Sequence, residues 1–270
     1  MRPTVAVHHA VEGRPDAPAL VLSNSLGSTP AMWDPQMPAL TRSFRVIRYD
    51  HRGHGRSPVP PGPYDIEDLG RDLVALLDRL GVARAHVCGL SIGGMVGMWV
   101  AAHAPDRVDR LVLCCTSASM GPPEVWAERA AIVRSQGTAA VADAVVARWF
   151  TPAYAAQNRR LVAEMRAMLA ANPAEGYAAC CGAVERMDLR PDLGAIRAST
   201  LVIAGADDPA TPPSHAERIA EGIAGSRLVV IEDAAHLVNV EQADAVDRLV
   251  IDHLSGEPEE VTDQVSGSPT

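Results

Sequence analysis

A serine flanked by glycines, a late histidine and a pair of aspartates are the residues here whose types and spacing could do chemistry. Gly89-Leu90-Ser91-Ile92-Gly93 follows the strand-like Ala85-His86-Val87-Cys88 and opens a glycine-containing helical stretch. That strand–turn–helix setting presents a serine hydroxyl as a nucleophile, with glycines permitting a sharp turn and a close helix. The hydroxyl needs a base to take its proton, and the base needs an acid to orient it. His236 follows the strand-like Arg227 to Ile231, whereas the other eight histidines lie on helices, in early loops, near the N-terminus or, for His86, within the strand before the serine. Asp207 and Asp208 follow the strand-like Leu201 to Gly205. Pro209, with its fixed φ, could hold that loop still, which favours Asp208 over Asp207 as the acid. Such a trio cleaves an acyl bond through a covalent intermediate, whose oxyanion needs two N–H donors. Ile92, the residue after the serine, is expected to supply one. Leu26, in the loop Ser23-Asn24-Ser25-Leu26-Gly27, is expected to supply the other.

A second polar cluster, Asp50 to Ser57, invites a metal or phosphate reading. Its His51 and His54 have no cysteine or histidine cluster at ligand spacing elsewhere. Its glycines lack the G-K-[ST] ending of a phosphate loop. The segment reads as a scaffold loop beside the pocket, and neither a metal nor a cofactor is expected.

These residues must be positioned by the elements around them. Ala19 to Leu22, Arg45 to Tyr49, His86 to Cys88, Leu111 to Cys114, Thr200 to Ala204 and Arg227 to Ile231 read as short buried strands. Helical segments alternate with them, the pattern of a mainly parallel sheet wrapped by helices. Asp65 to Leu80 is amphipathic, with Ile66, Leu69, Leu73, Leu76 and Leu80 on one face, Asp65 as N-cap and Gly81 as the stop. The alternation breaks over residues 121–187. There the helix candidates are Glu124 to Ser135, Ala139 to Trp149, Ala153 to Ala171 and Glu175 to Arg186. The expected organisation is an α/β core of 1–120 and 188–254, a helical cap of 121–187, and a disordered polar tail of 255–270. A last core helix is expected over Glu241 to Leu254.

Composition narrows the function classes. The chain has 270 residues, 47% of them hydrophobic and 21% charged, which suits a single large folded domain. A net charge of −9 repels phosphate backbones and anionic membranes, so no nucleic-acid or membrane partner is expected. Five cysteines without a CxxC suit packed thiols rather than a disulfide framework. The N-terminal residues lack the pattern of a secretory signal, and the chain reads as cytoplasmic. Oligomeric state is left open.

The elbow, the late Asp and His, and Asp50-x-Arg-Gly-x-Gly-x-Ser57 together resemble the α/β-hydrolase superfamily along the chain to about residue 254. Narrower segments are similar to the 3-oxoadipate enol-lactonase family: Leu22 to Gly27, Met32 to Gln36, Pro61 to Tyr64, Glu175 to Tyr177 with Cys180 and Cys181, and Ala206 to Pro213. Asn24-Ser25 stands where most of the superfamily carries His-Gly. The resemblance implies an α/β-hydrolase fold with an inserted helical cap. It also places the acid three residues after Gly205, at Asp208, and implies hydrolysis of a small anionic lactone without a cofactor. The substrate's free carboxylate then calls for a cation in the cap. Arg129, Arg134 and Arg148 are candidates, with Trp126 and Trp149 as walls, and Trp126 with Arg129 is favoured because the two lie one helical turn apart. Two alternatives stay open: another small ester or lactone as substrate, and a ligand-binding protein of this fold without turnover.

Overall fold

The computed structural model describes residues 2–256; residues 257–270 of the expected disordered tail lie outside them. The first half of the chain gives β1 (His9–Gly13), β2 (Ala19–Ser23), α1 (Met37–Ser43), β3 (Arg45–Tyr49), α2 (Ile66–Arg79), β4 (Ala85–Leu90), α3 (Ile92–His103) and β5 (Val108–Cys114). Five helices follow without a strand: α4 (Pro123–Gln136), α5 (Ala139–Val146), α6 (Pro152–Gln157), α7 (Arg159–Ala170) and α8 (Ala174–Arg186). The chain closes with β6 (Ser199–Gly205), α9 (Pro213–Gly222), β7 (Arg227–Ile231), α10 (Val238–Glu241) and α11 (Ala243–Ser255).

The strands form one sheet in the order β1-β3-β2-β4-β5-β6-β7. Only β1 is antiparallel to its neighbour. All six residues of β4 are buried, as expected of a strand covered by helices on both faces. The chain order reverses between β2 and β4, which lie side by side in parallel register. Ligands of open α/β sheets bind outside the strand ends at such a reversal. Here those ends lead into the Ser23–Gly27 loop and the Ser91 turn.

The helical block between β5 and β6 leaves and re-enters the sheet at a neck. Ser119 and Asp188 form an isolated antiparallel bridge, and Leu189 N–H donates to Ala118 O at 2.7 Å. α4 and α8 pack along each other within the block. Two helices read as continuous in sequence are interrupted. The Ala153 to Ala171 stretch breaks at Asn158, whose side-chain amide donates to Tyr154 O at 3.0 Å. The last helix starts earlier than expected and breaks at Gln242. All five cysteines are free and buried. Among the described residues no helix is long and apolar enough to cross a membrane.

One buried ion pair fastens the Asp50–Ser57 loop to α2. Arg52 Nε and Nη2 meet Asp72 Oδ2 and Oδ1 at 2.6 and 2.7 Å, with both side chains almost wholly removed from solvent. Asp72 Oδ1 also accepts from Val5 N–H at 2.8 Å. Removing one partner of such a pair leaves an uncompensated charge in the interior. Asp72→Ala is therefore expected to cost about 3–5 kcal/mol in urea unfolding, and adding Arg52→Met to it should recover most of that loss.

Candidate active site

Ser91 sits between β4 and α3 with φ 57° and ψ −121°, a region disfavoured for any residue carrying a Cβ. Its N–H donates to Cys114 O at 3.0 Å, and its carbonyl accepts from Thr116 Oγ1 at 2.6 Å. The flanking glycines allow the sharp turn and the close helix through clearance. Neither Gly89 nor Gly93 has positive φ; the strained angle belongs to Ser91 itself. What the glycines supply is clearance. A Cβ on Gly89 would strike the Gly93 backbone, one on Gly93 the Ser23 backbone, and one on Gly94 the Thr116 side chain.

His236 and Asp208 are both buried, and His236 Nδ1 lies 2.8 Å from Asp208 Oδ2. An ionised carboxylate there accepts a hydrogen bond from Nδ1–H, which leaves Nε2 with the ring's free lone pair. Asp208 takes three further hydrogen bonds: Ala210 N–H at 2.7 Å, Thr211 N–H at 3.1 Å and Thr211 Oγ1 at 2.7 Å. Burial by itself would raise this carboxyl, but the His236 charge and hydrogen bond and those of Thr211 outweigh it and hold the group down at about 2. Asp208 thus stays ionised well into acid. Asp207, by contrast, is exposed. Thr211 was not foreseen as part of the site, although an aspartate folding back onto the N–H groups two and three residues on is a known turn habit.

The loop after β2 arranges its amides unevenly. Ser25 N–H points to Met32 Sδ, Gly27 N–H to His54 Nε2 and Ser28 N–H to Ser25 O. Between them, Leu26 N–H meets no acceptor among the described residues, and neither does Ile92 N–H at the start of α3. Two free amides, one beside each strand end, are what a developing oxyanion requires.

A cavity joins these parts. Ser25, Leu26, Ser91, Ile92 and His236 line one side; Trp126, Arg129, Arg148, Trp149 and Tyr177 from the helical block line the other. The Arg129 guanidinium stacks on Trp126, 4.5 Å from the ring centroid. Burial and the neighbouring charge of Arg129 both lower the Arg148 pKa. Among the described residues neither arginine makes an ion pair, and the buried Tyr177 hydroxyl lies against Arg129. Arg134, a candidate for the same role, does not reach the cavity. It pairs with Glu175 on the surface, Nε to Oε2 at 2.9 Å. Among the described residues no group of three or more acidic, cysteine or histidine side chains could hold a metal ion.

Comparison with known proteins agrees with this architecture. Residues 18–243 match the alpha/beta hydrolase fold family. The chain is 43% identical over 246 residues to 3-oxoadipate enol-lactonase 2 of Acinetobacter baylyi, covering 91% of this chain and 92% of that one. It is 32% identical to a protein of Stutzerimonas stutzeri carrying the carbamate-hydrolase name RutD, covering 92% and 97%. Among solved structures, the enol-lactonase from Burkholderia xenovorans LB400 superposes with a TM-score of 0.90 at 45% identity, covering 92% and 96%. The chain belongs to the α/β-hydrolase family.

Proposed function

We propose that this protein hydrolyses 3-oxoadipate enol-lactone to 3-oxoadipate in the cytoplasm, through an acyl-enzyme on Ser91, with residues 121–187 as the cap that selects the substrate. The observation that carries this reading is the cavity. A potential serine nucleophile and its base face two arginines that have no carboxylate of their own. Two cations without carboxylate partners, gathered in one cavity of a protein of net charge −9, favour an anion as its occupant. The similarity to enol-lactonases supplies the substrate class.

The chemistry follows from the parts. His236, its Nδ1–H held by Asp208, takes the Ser91 proton at Nε2 as the oxygen attacks the lactone carbonyl. Leu26 and Ile92 N–H groups receive the oxyanion. Collapse breaks the ring C–O bond and releases an enolate, a far weaker base than an alkoxide, so the departing oxygen needs little help from an acid. It stays tethered to the acyl-enzyme and could attack back. The proton that His236 took from Ser91 passes to the enolate carbon, which gives the ketone, removes that nucleophile and returns His236 to its neutral form. His236 then takes a proton from water as it attacks the acyl carbonyl, and gives it to the Ser91 oxygen as the acid departs. Throughout, Arg129 and Arg148 with the Tyr177 hydroxyl hold the substrate's carboxylate, while Trp126 and Trp149 wall the ring.

The decisive assay is ultraviolet loss of the enol-lactone beside a panel of neutral p-nitrophenyl esters and simple carbamates. Rapid lactone loss, abolished in Ser91→Ala, is expected; ester or carbamate turnover without lactone turnover would discard the substrate while leaving the site intact. Asp208→Asn should lower kcat by roughly 10⁴-fold, because the amide cannot hold the productive tautomer of His236. Arg129→Leu and Arg148→Leu should each raise KM for the anionic lactone by about tenfold or more, and leave KM for neutral esters within about twofold. Equal effects on both substrates would remove the arginines from carboxylate binding.

A further inference from the structure

We propose that His51 and His54, held as neutral imidazoles of opposite tautomer, are positioning residues that grip the Leu26 turn from both sides and so set the direction of its oxyanion-binding N–H; the inference rests on the reading of Ser91 as nucleophile.

The hydrogen-bond partners dictate the tautomers. His54 Nε2 lies 3.0 Å from Gly27 N–H, a group that can only donate, so Nε2 must offer a lone pair and the ring proton must sit on Nδ1. That Nδ1 faces Arg52 O at 3.4 Å, an acceptor. His51 is the opposite case. Its Nε2 lies 3.0 Å from Asn24 O, which can only accept, so Nε2 carries the proton. Its Nδ1 is buried without a hydrogen-bond partner. The two rings contact each other edge to face at 6.3 Å between centroids, and both are buried. Burial keeps them uncharged, pushing His51 down to about 3, with His54 adding to the effect, and His54 down to about 4.

The geometry gives these bonds a purpose. The peptide that bears Leu26 N–H runs between Asn24, whose carbonyl His51 holds, and Gly27, whose N–H His54 holds. Gly27 takes φ +80°, and a Cβ there would collide with the Tyr177 ring, so this turn has no slack on its outer side. Asn172 Nδ2 grips the Gly27 carbonyl at 2.8 Å, while Ser28 Oγ donates to Ser25 O at 2.7 Å. Of all these grips, the His54 bond is made to the amide immediately after Leu26. A charged His54 would aim a second proton at Gly27 N–H and expel the bond. The neutrality of the ring is therefore part of the device.

Removing one donor of an oxyanion hole costs on the order of 10²–10³ in kcat, and misaiming one should cost less. In His54→Phe, which keeps a ring but no acceptor, kcat is expected to fall about tenfold to a hundredfold with KM within about twofold. Affinity for an arylboronic acid that becomes tetrahedral on Ser91 should fall in parallel. His54→Gln, whose Oε1 can accept from Gly27 N–H, should restore most of both. Unchanged kcat in His54→Phe, or a fall that glutamine does not rescue, would overturn the proposal. A readout independent of any variant is the imidazole ¹⁵N spectrum of the unsubstituted protein, which should show His54 protonated on Nδ1 and His51 on Nε2; the same tautomer at both, or a cationic ring at neutral pH, would equally overturn it. Full activity in Ser91→Ala would instead bring down the reading on which the inference rests, so the two failures are distinguishable.

Discussion

The backbone of Ser91 is held in a conformation that a residue with a side chain resists by roughly 1–3 kcal/mol, and it stays there because its surroundings leave no alternative. β4 is central in the sheet, bonded to β2 on one side and β5 on the other. Gly89 and Gly93 bring α3 and the end of β2 so close that a methyl group at either would not fit. Thr116, just beyond β5, closes the turn from the third side by bonding the Ser91 carbonyl. A serine on a relaxed helix or strand would bury its hydroxyl or solvate it. Here the Ser91 turn stands where the β2 and β4 ends meet, and the loops after β6 and β7 bring Asp208 and His236 to the same edge.

The helical block is joined to this edge at more than its neck. Leu237 N–H, beside the base, donates to Trp149 O at 2.9 Å. The Glu241 carboxylate bridges Ala235 N–H to the N–H and hydroxyl of Thr151, each of the latter at 2.8 Å. On the far side Asn172 joins Gly27 O to Gly55 N–H. The helical wall of the cavity and the loops that carry His236 and Leu26 therefore share supports. A shift of α5 or of the α7–α8 connection cannot leave the chemistry untouched.

Much of this was legible in the residues. Runs such as Val202 to Ala204 and Leu228 to Ile231 announce strands because a parallel sheet needs continuous apolar stretches. The acid and the base stand directly after such runs, which is why Asp208 and His236 could be singled out before any geometry. β1 escaped notice because, as an exposed edge strand reading HAVEG, it has no apolar run to display. Asn158 and Gln242 break helices where composition alone favours continuation. The roles of the three arginines depend on tertiary packing. Arg129 and Arg134 share α4, yet Arg129 lines the cavity while Arg134 pairs with Glu175 on α8. The bond of His54 to Gly27 spans a sequence gap that no local pattern records.

The neck at Ser119 and Asp188 has a consequence for how such a protein can change over generations. Because the chain departs from and returns to the sheet at adjacent points, the five helices between are tethered like a cassette whose two ends already touch. Lengthening, trimming or exchanging that cassette alters a loop whose closure costs little extra entropy and disturbs no strand register. The sheet can keep its strained serine while the chamber above it is rebuilt for a different acid, ester or lactone. The anchors at Trp149, Thr151 and Asn172 mark which parts of the cassette are least free to vary.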